Sequence, residues 1–474
     1  MKVFSRKNAL LLAALLIALA AACAFALSRA QTAVMLEEKA FAHGGERDAM
    51  TVSLEATEDL RTIKGEMCLT ATNRTGGDLS EIVLRAYANA IQPGSVTLSD
   101  ATVNGERASI GADSDDPSVW RIETPWRAGE TAEVCWRVSL IVPRGEGEIG
   151  RTDDSALLIG ALPTPAMWEN GAWRTDAYCA VGDPFISDCS NYEVTLVAPA
   201  GYVCVASAKP SVKTMADGRM RYTMQGDAMR DFAFALSASW QTAQKSVNGV
   251  TVTAHAGDQK AAGRAAGYAA EALKTYARLY GAYAYDQLTV CEVDFPLGGM
   301  EYPGLIFIGR DWMAESQADS LELMLAHETA HQWFYALVGS DQVTDAWQDE
   351  ALCEYAMLRY AREKYGANAY ENLRILRVDA PMREKINQTV TPGSPIYYFG
   401  SLQTYATVVY GRGAALPLAL DEMTGGQMDK LLREYCDAFA FKRASRADFE
   451  QFFTDRSGLD ITPLMRDYLD TYGY

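Results

Sequence analysis

His327 and His331 stand four residues apart in the stretch LMLAHETAHQW. On a helix, two imidazoles at that spacing leave one face about one turn apart and can meet a single ion. Glu328 follows the first histidine directly, beside a bound metal without ligating it, where its carboxylate can take a proton from metal-bound water. Glu350 comes after an eighteen-residue spacer, in the acidic run DAWQDEALCEY, which reads as the start of a second helix beyond a loop broken at Gly339. Two imidazoles and one carboxylate leave a fourth position open for water, the donor set of catalytic rather than structural zinc, and suit one Zn2+ per chain. His43 and His255 have no motif around them and read as ordinary residues.

Two kinds of element must position these groups. From about Ala49 to Gln241 the chain alternates apolar and polar residues in short β-branched runs such as MTVSLEA, GEMCLTATN and TAEVCWRVSLIVP, punctuated by Gly, Asn, Asp and Pro. That pattern predicts a largely antiparallel β domain. Within it, LPTPAMWENGAWRTDAYCAVGDPFISDCSN is irregular and aromatic, too long for an idle loop, and is expected to pack on a neighbour or line a cleft. The period then changes: Asp258 to Tyr283 is Ala-rich with helical spacing, LTVCEVDF and LIFIG read as strands around the Gly-rich turn PLGGMEYPG, and the chain from Gln317 onward is mostly helix. The fold class is therefore α+β, with a segment at 1–30, a β-rich domain at 31–247 and a mainly helical catalytic domain at 248–474.

Lys2, Arg6 and Lys7 precede an uncharged run from Asn8 to Leu27, near the length a bilayer needs. The expectation is an uncleaved transmembrane anchor holding the rest outside the cytoplasm at the plasma membrane, with a cleaved signal and secretion as the alternative. A formal charge of -18 excludes nucleic acid as the main partner; no partner protein is predicted. Export permits disulfides. Cys179 and Cys189 flank a short loop and form the more plausible local bridge, while Cys68 and Cys135 lie in strand-like runs and are either paired or buried.

GGMEYPG at 298–304, HETAHQW at 327–333, AWQDE ending at Glu350, and VYGRGA with Tyr410 occur in the order that marks the gluzincin aminopeptidases, the family of membrane alanyl aminopeptidase and leukotriene hydrolase, which this chain resembles. The resemblance extends less specifically to GDPFISDCSNYEVTL at 182–196. It implies a β saddle followed by a thermolysin-like domain, in a short form without the large helical domain many members add. It makes His327, His331 and Glu350 the zinc ligands, Glu328 the general base, and Tyr410 the phenol facing the developing oxyanion, with Tyr405, Tyr397 and Tyr398 as rivals. It also makes Gly299, Met300 and Glu301 the substrate-binding residues, Glu301 holding the free α-ammonium of a peptide, although Tyr302 stands where the family has asparagine. Asp349 adds a carboxylate next to the third ligand, and Trp333, Asp345 and Trp347 are read as packing and loop-shaping residues. The implied activity is release of N-terminal residues from peptides with a free N-terminus. The alternatives are a thermolysin-like endopeptidase and a catalytically silent peptide-binding module.

Overall fold

The computed structural model describes residues 47–386 and 389–471. Its N-terminal part is built on an eight-stranded sheet in which Ala49–Ala56 lies between Ser190–Ala198, its one parallel neighbour, and Thr62–Thr72. The alternation read from the sequence is the burial pattern: Met50, Val52 and Leu54 point into the core while Thr51, Ser53 and Glu55 face out. Thr62–Thr72 pairs with Thr131–Ile141 in a register that sets Cys68 opposite Cys135, and these two form the disulfide. Cys179 and Cys189 are free thiols, so the local bridge expected between them is corrected. Register between strands distant in sequence, not loop length, decides which sulfurs meet.

The irregular excursion forms a small hairpin, Trp168–Glu169 with Ala172–Trp173, and then runs without regular structure to Cys189. A second, five-stranded sheet follows in the order Gln241–Val247, Val250–Ala256, Gln287–Val293, Leu305–Gly309, Gly299–Tyr302. Its first hairpin straddles residue 248. Helix α1 (Gln259–Tyr280) makes the crossover between two parallel strands; Asp258 caps it by accepting from the amides of Lys260 and Ala261, and Ala262, Ala265, Ala269 and Leu273 bury one face. PLGGMEYPG reads as a turn, yet Gly299–Tyr302 is an edge strand antiparallel to Leu305–Gly309. Only Pro303 and Gly304 turn, with Gly304 at φ +71°, the conformation a glycine supplies after proline.

Helices α2 (Ala318–Ala330) and α3 (Trp347–Tyr365) follow, and further helices complete a mainly helical C-terminal part. The observed order is the expected one, a mostly β unit and then a helical unit. Trp333 and Trp347 are fully buried, as packing residues should be. The membrane anchor, by contrast, is not supported, and the anchored extracytoplasmic location is corrected with it. No helix among the described residues is long and apolar enough to cross a membrane. The longest, α1, carries Lys260, Arg264, Glu271, Lys274 and Arg278, which hydrocarbon would not accept. The run from Asn8 to Leu27 lies outside the described residues.

Candidate active site

α2 carries His327 and Glu328 in its last turn, and His331 caps it with dihedrals still helical, so the four-residue spacing keeps both imidazoles on one face. Glu350 comes from the first turn of α3. His327 Nε2 lies 3.1 Å from His331 Nε2 and 3.1 Å from Glu350 Oε2, and His331 Nε2 lies 3.5 Å from Glu350 Oε2. Ligands on a tetrahedral zinc at about 2.0–2.1 Å are separated by roughly 3.3 Å, so the three atoms have the spacing of one zinc face. Two ring nitrogens and a carboxylate oxygen converging in a buried spot also need a cation to offset their lone pairs. Two other groupings, His331 with Asp349 and Cys353, and His331 with Glu301 and Glu328, share His331 with the first, but Asp349 and Glu301 approach its Nδ1, whereas the trio converges on its Nε2.

Both imidazoles are held from behind by carboxylates. Asp349 Oδ1 is 2.5 Å from His331 Nδ1, and Gln342 donates to Asp349 Oδ2 at 2.5 Å. Glu354 Oε1 is 3.3 Å from His327 Nδ1, and the Arg377 guanidinium in turn clasps Glu354. Such partners fix the ring orientation and tautomer of a metal-binding histidine. The sequence reading named Asp349 but missed Glu354, although its place one turn after Glu350 on α3 puts it on the same face. Nothing local marks Gln342 or Arg377.

Around this trio is a cavity of about 560 Å³. Glu328, buried, lines it beside Gly299: a Cβ on that glycine would fall 2.3 Å from Glu328 Oε1. Burial pushes the Glu328 carboxyl above its ordinary range. Tyr410 stacks its ring on His327 at 5.4 Å and donates its hydroxyl to Glu350 Oε1 at 2.5 Å. Of its rivals, Tyr405 is buried and lines the same cavity, whereas Tyr397 and Tyr398 are exposed and do not. Glu301, only 5% exposed, has an Oε1 with no hydrogen-bond partner among the described residues and 3.6 Å from His331 Nδ1. Asp183 and Glu148, from the N-terminal part, line the same end of the cavity, so the excursion does reach the cleft. Burial raises the carboxyls of Glu301 and Asp183 far above the usual range. Met300 is in the wall, but Tyr302 is not: its ring is buried against Phe307 at 5.8 Å, and its carbonyl accepts from Gln332.

Residues 264–468 match the peptidase family M1 domain. Mouse aminopeptidase B is 28% identical over 215 residues, covering 41% of this chain and 32% of that protein. Leukotriene A-4 hydrolase of Xenopus laevis is 28% identical over 193 residues, covering 38% of this chain and 31% of that protein. The chain thus spans about a third of the length of these relatives. The M1 zinc metallopeptidase of Deinococcus radiodurans superposes with a TM-score of 0.66 at 17% identity, over 89% of this chain and 92% of that one, and so shares the fold of both units. With the motifs and the buried trio inside the matched region, residues 264–468 are similar to the domain of peptidase family M1, the family whose gluzincin aminopeptidases the motifs resemble.

Proposed function

We propose that this chain is a zinc-dependent aminopeptidase that hydrolyses the first bond of peptides with a free N-terminus. The observation that carries the reading is Glu301: a carboxylate buried in the cavity wall, its Oε1 without a hydrogen-bond partner among the described residues and 3.6 Å from His331 Nδ1. A substrate ammonium would satisfy it with a charge-assisted hydrogen bond and fix the first carbonyl over the trio. His327, His331 and Glu350 hold the ion, which when bound supplies a water of lowered pKa and polarises the carbonyl. Glu328 takes the proton of the attacking water and returns it to the leaving amine, and its buried, raised carboxyl is matched to both halves of that task. The Tyr410 hydroxyl, in the same pocket, turns from Glu350 to the oxyanion as negative charge builds there. Gly299 and Met300 flank the extended substrate along the edge strand.

The test compares one peptide with free and with acetylated N-terminus, in wild type and in Glu301→Gln, with zinc assayed in the same samples. Cleavage of the free form alone, lost in Glu301→Gln at full zinc content, is the expected result. Equal cleavage of both forms makes the protein an endopeptidase. Zinc binding without cleavage across a varied peptide set makes it a binding module.

A further inference from the structure

The cavity is polar at one end and apolar at the other, and three independent elements report the same direction. Along the edge strand, Glu301 faces the acidic end with Asp183. Gly299, two residues or about 6.6 Å away, lies against Glu328, and Gly298 next to it is where a Cβ would meet Met324 Cε at 2.7 Å and Trp312 Cε2 at 3.9 Å. Along α2, His331 is the neighbour of Glu301, His327 follows one turn back, and Leu323 and Met324 one turn further. Along α3, Asp349 and Glu350 give way to Glu354 and then to Met357. A peptide anchored by its ammonium at Glu301, with its first carbonyl over the trio, must therefore send its second residue toward Leu297, Trp312, Leu323 and Met324.

We infer that this end is the pocket for the residue after the cleaved bond, and that the enzyme selects peptides with a large apolar side chain there. The inference rests on the aminopeptidase reading, which sets the register. Leu376, Leu402 and Leu297 are 65%, 45% and 40% exposed and all line this one cavity. Scattered exposed leucines need no explanation, but a cluster on the wall of a catalytic cavity is a binding surface. The one cation lining that end, Arg377, is already engaged by Glu354. A charged second residue would lose its hydration there and gain no partner.

The test uses the full chain loaded with zinc and measures kcat/KM for Ala-Leu-Gly, Ala-Phe-Gly, Ala-Gly-Gly and Ala-Asp-Gly. Leu and Phe should exceed Gly by about 10- to 100-fold, with Asp below Gly. The exposed-site variant L376S/L402S should narrow the Leu-to-Gly ratio at unchanged zinc content. Calorimetry on Glu328→Gln should give the same order of affinities without turnover. Equal kcat/KM for Leu, Gly and Asp, or a ratio that the double variant leaves unmoved, overturns the inference while the aminopeptidase reading stands. If acetyl-Ala-Leu-Gly is cut as fast as the free peptide, the register fails and both readings fall together.

Discussion

A methyl group at Gly299 would sit 2.3 Å from Glu328 Oε1 and 2.5 Å from its Cδ, well inside contact distance, so only glycine lets the edge strand approach Glu328 this closely. Gly299→Ala should therefore push the Glu328 carboxylate aside and lower kcat on the order of 100-fold, since about 1 Å of misplacement has that effect, while zinc content stays at wild-type level. Glu328→Gln removes the proposed base and should lower kcat by about 10²- to 10⁴-fold, again with zinc retained. Tyr410→Phe should lower kcat by about 10²-fold with little change in KM, because its contact with the substrate forms only as the oxyanion appears. Steady-state kinetics with metal analysis on the same preparations checks all three. That His327 and His331 share a face was readable because four-residue spacing is a local property of a helix. Glu148 was not, since nothing near it in sequence says that it shares a cavity with Glu301, and for Asp183 the sequence offered only an excursion expected to pack on a neighbour or line a cleft.

The loop between His331 and α3 leads into the helix turn that carries Glu350, the proposed third ligand, and a chain of polar contacts sets its shape. Asp341 Oδ1 accepts from the amides of Val343 and Thr344, each at 3.1 Å, while its Oδ2 accepts from Arg174 at 2.7 Å. Arg174, which also pairs with Glu169 and Asp176, belongs to the irregular excursion of the N-terminal part. The next residue, Gln342, holds Asp349, and Asp349 holds His331. The β unit thus reaches the metal site through one loop. Asp349→Asn should weaken zinc affinity by about 10- to 100-fold in chelator competition, and Arg174→Ala should weaken it in the same direction by less, its effect arriving through the loop. The length and aromatic content of the excursion announced that it had a docking role. Its partner could not be read, because Arg174 and Asp341 stand 167 positions apart and only the assembled fold makes them neighbours.

For the molecule as a whole, period-2 and helical patterning disclosed the order of the two units because each pattern is written within a few residues. The features that failed depend on distant partners: the disulfide follows from the strand register of Cys68 and Cys135, 67 residues apart, and the edge strand at Gly299–Tyr302, only four residues long and glycine-rich, exists because Leu305–Gly309 pairs with it. His255, silent in sequence, couples this packing to pH. It lies on Val250–Ala256 in the five-stranded sheet, its Nδ1 3.0 Å from Thr242 Oγ1 and its ring 5.7 Å from Trp240. Burial pulls its imidazole down to about 4, against 6.5 when exposed. Above pH 6.5 the ring is neutral in both folded and unfolded chains and contributes no pH dependence. Between 6.5 and 4 only the unfolded chain takes up the proton, so folding loses stability, by up to about 3 kcal/mol over that window, and the loss levels off below 4 once the folded ring protonates too. Asp231, whose buried carboxyl is raised to about 6, moves stability the opposite way over much of the same range, so wild type alone cannot isolate the effect. The difference between wild type and His255→Gln can: in denaturant titrations it should be constant above pH 6.5 and shift against wild type as the pH falls to 4, whereas a difference that stays flat across the window would mean that His255 is already protonated in the folded sheet.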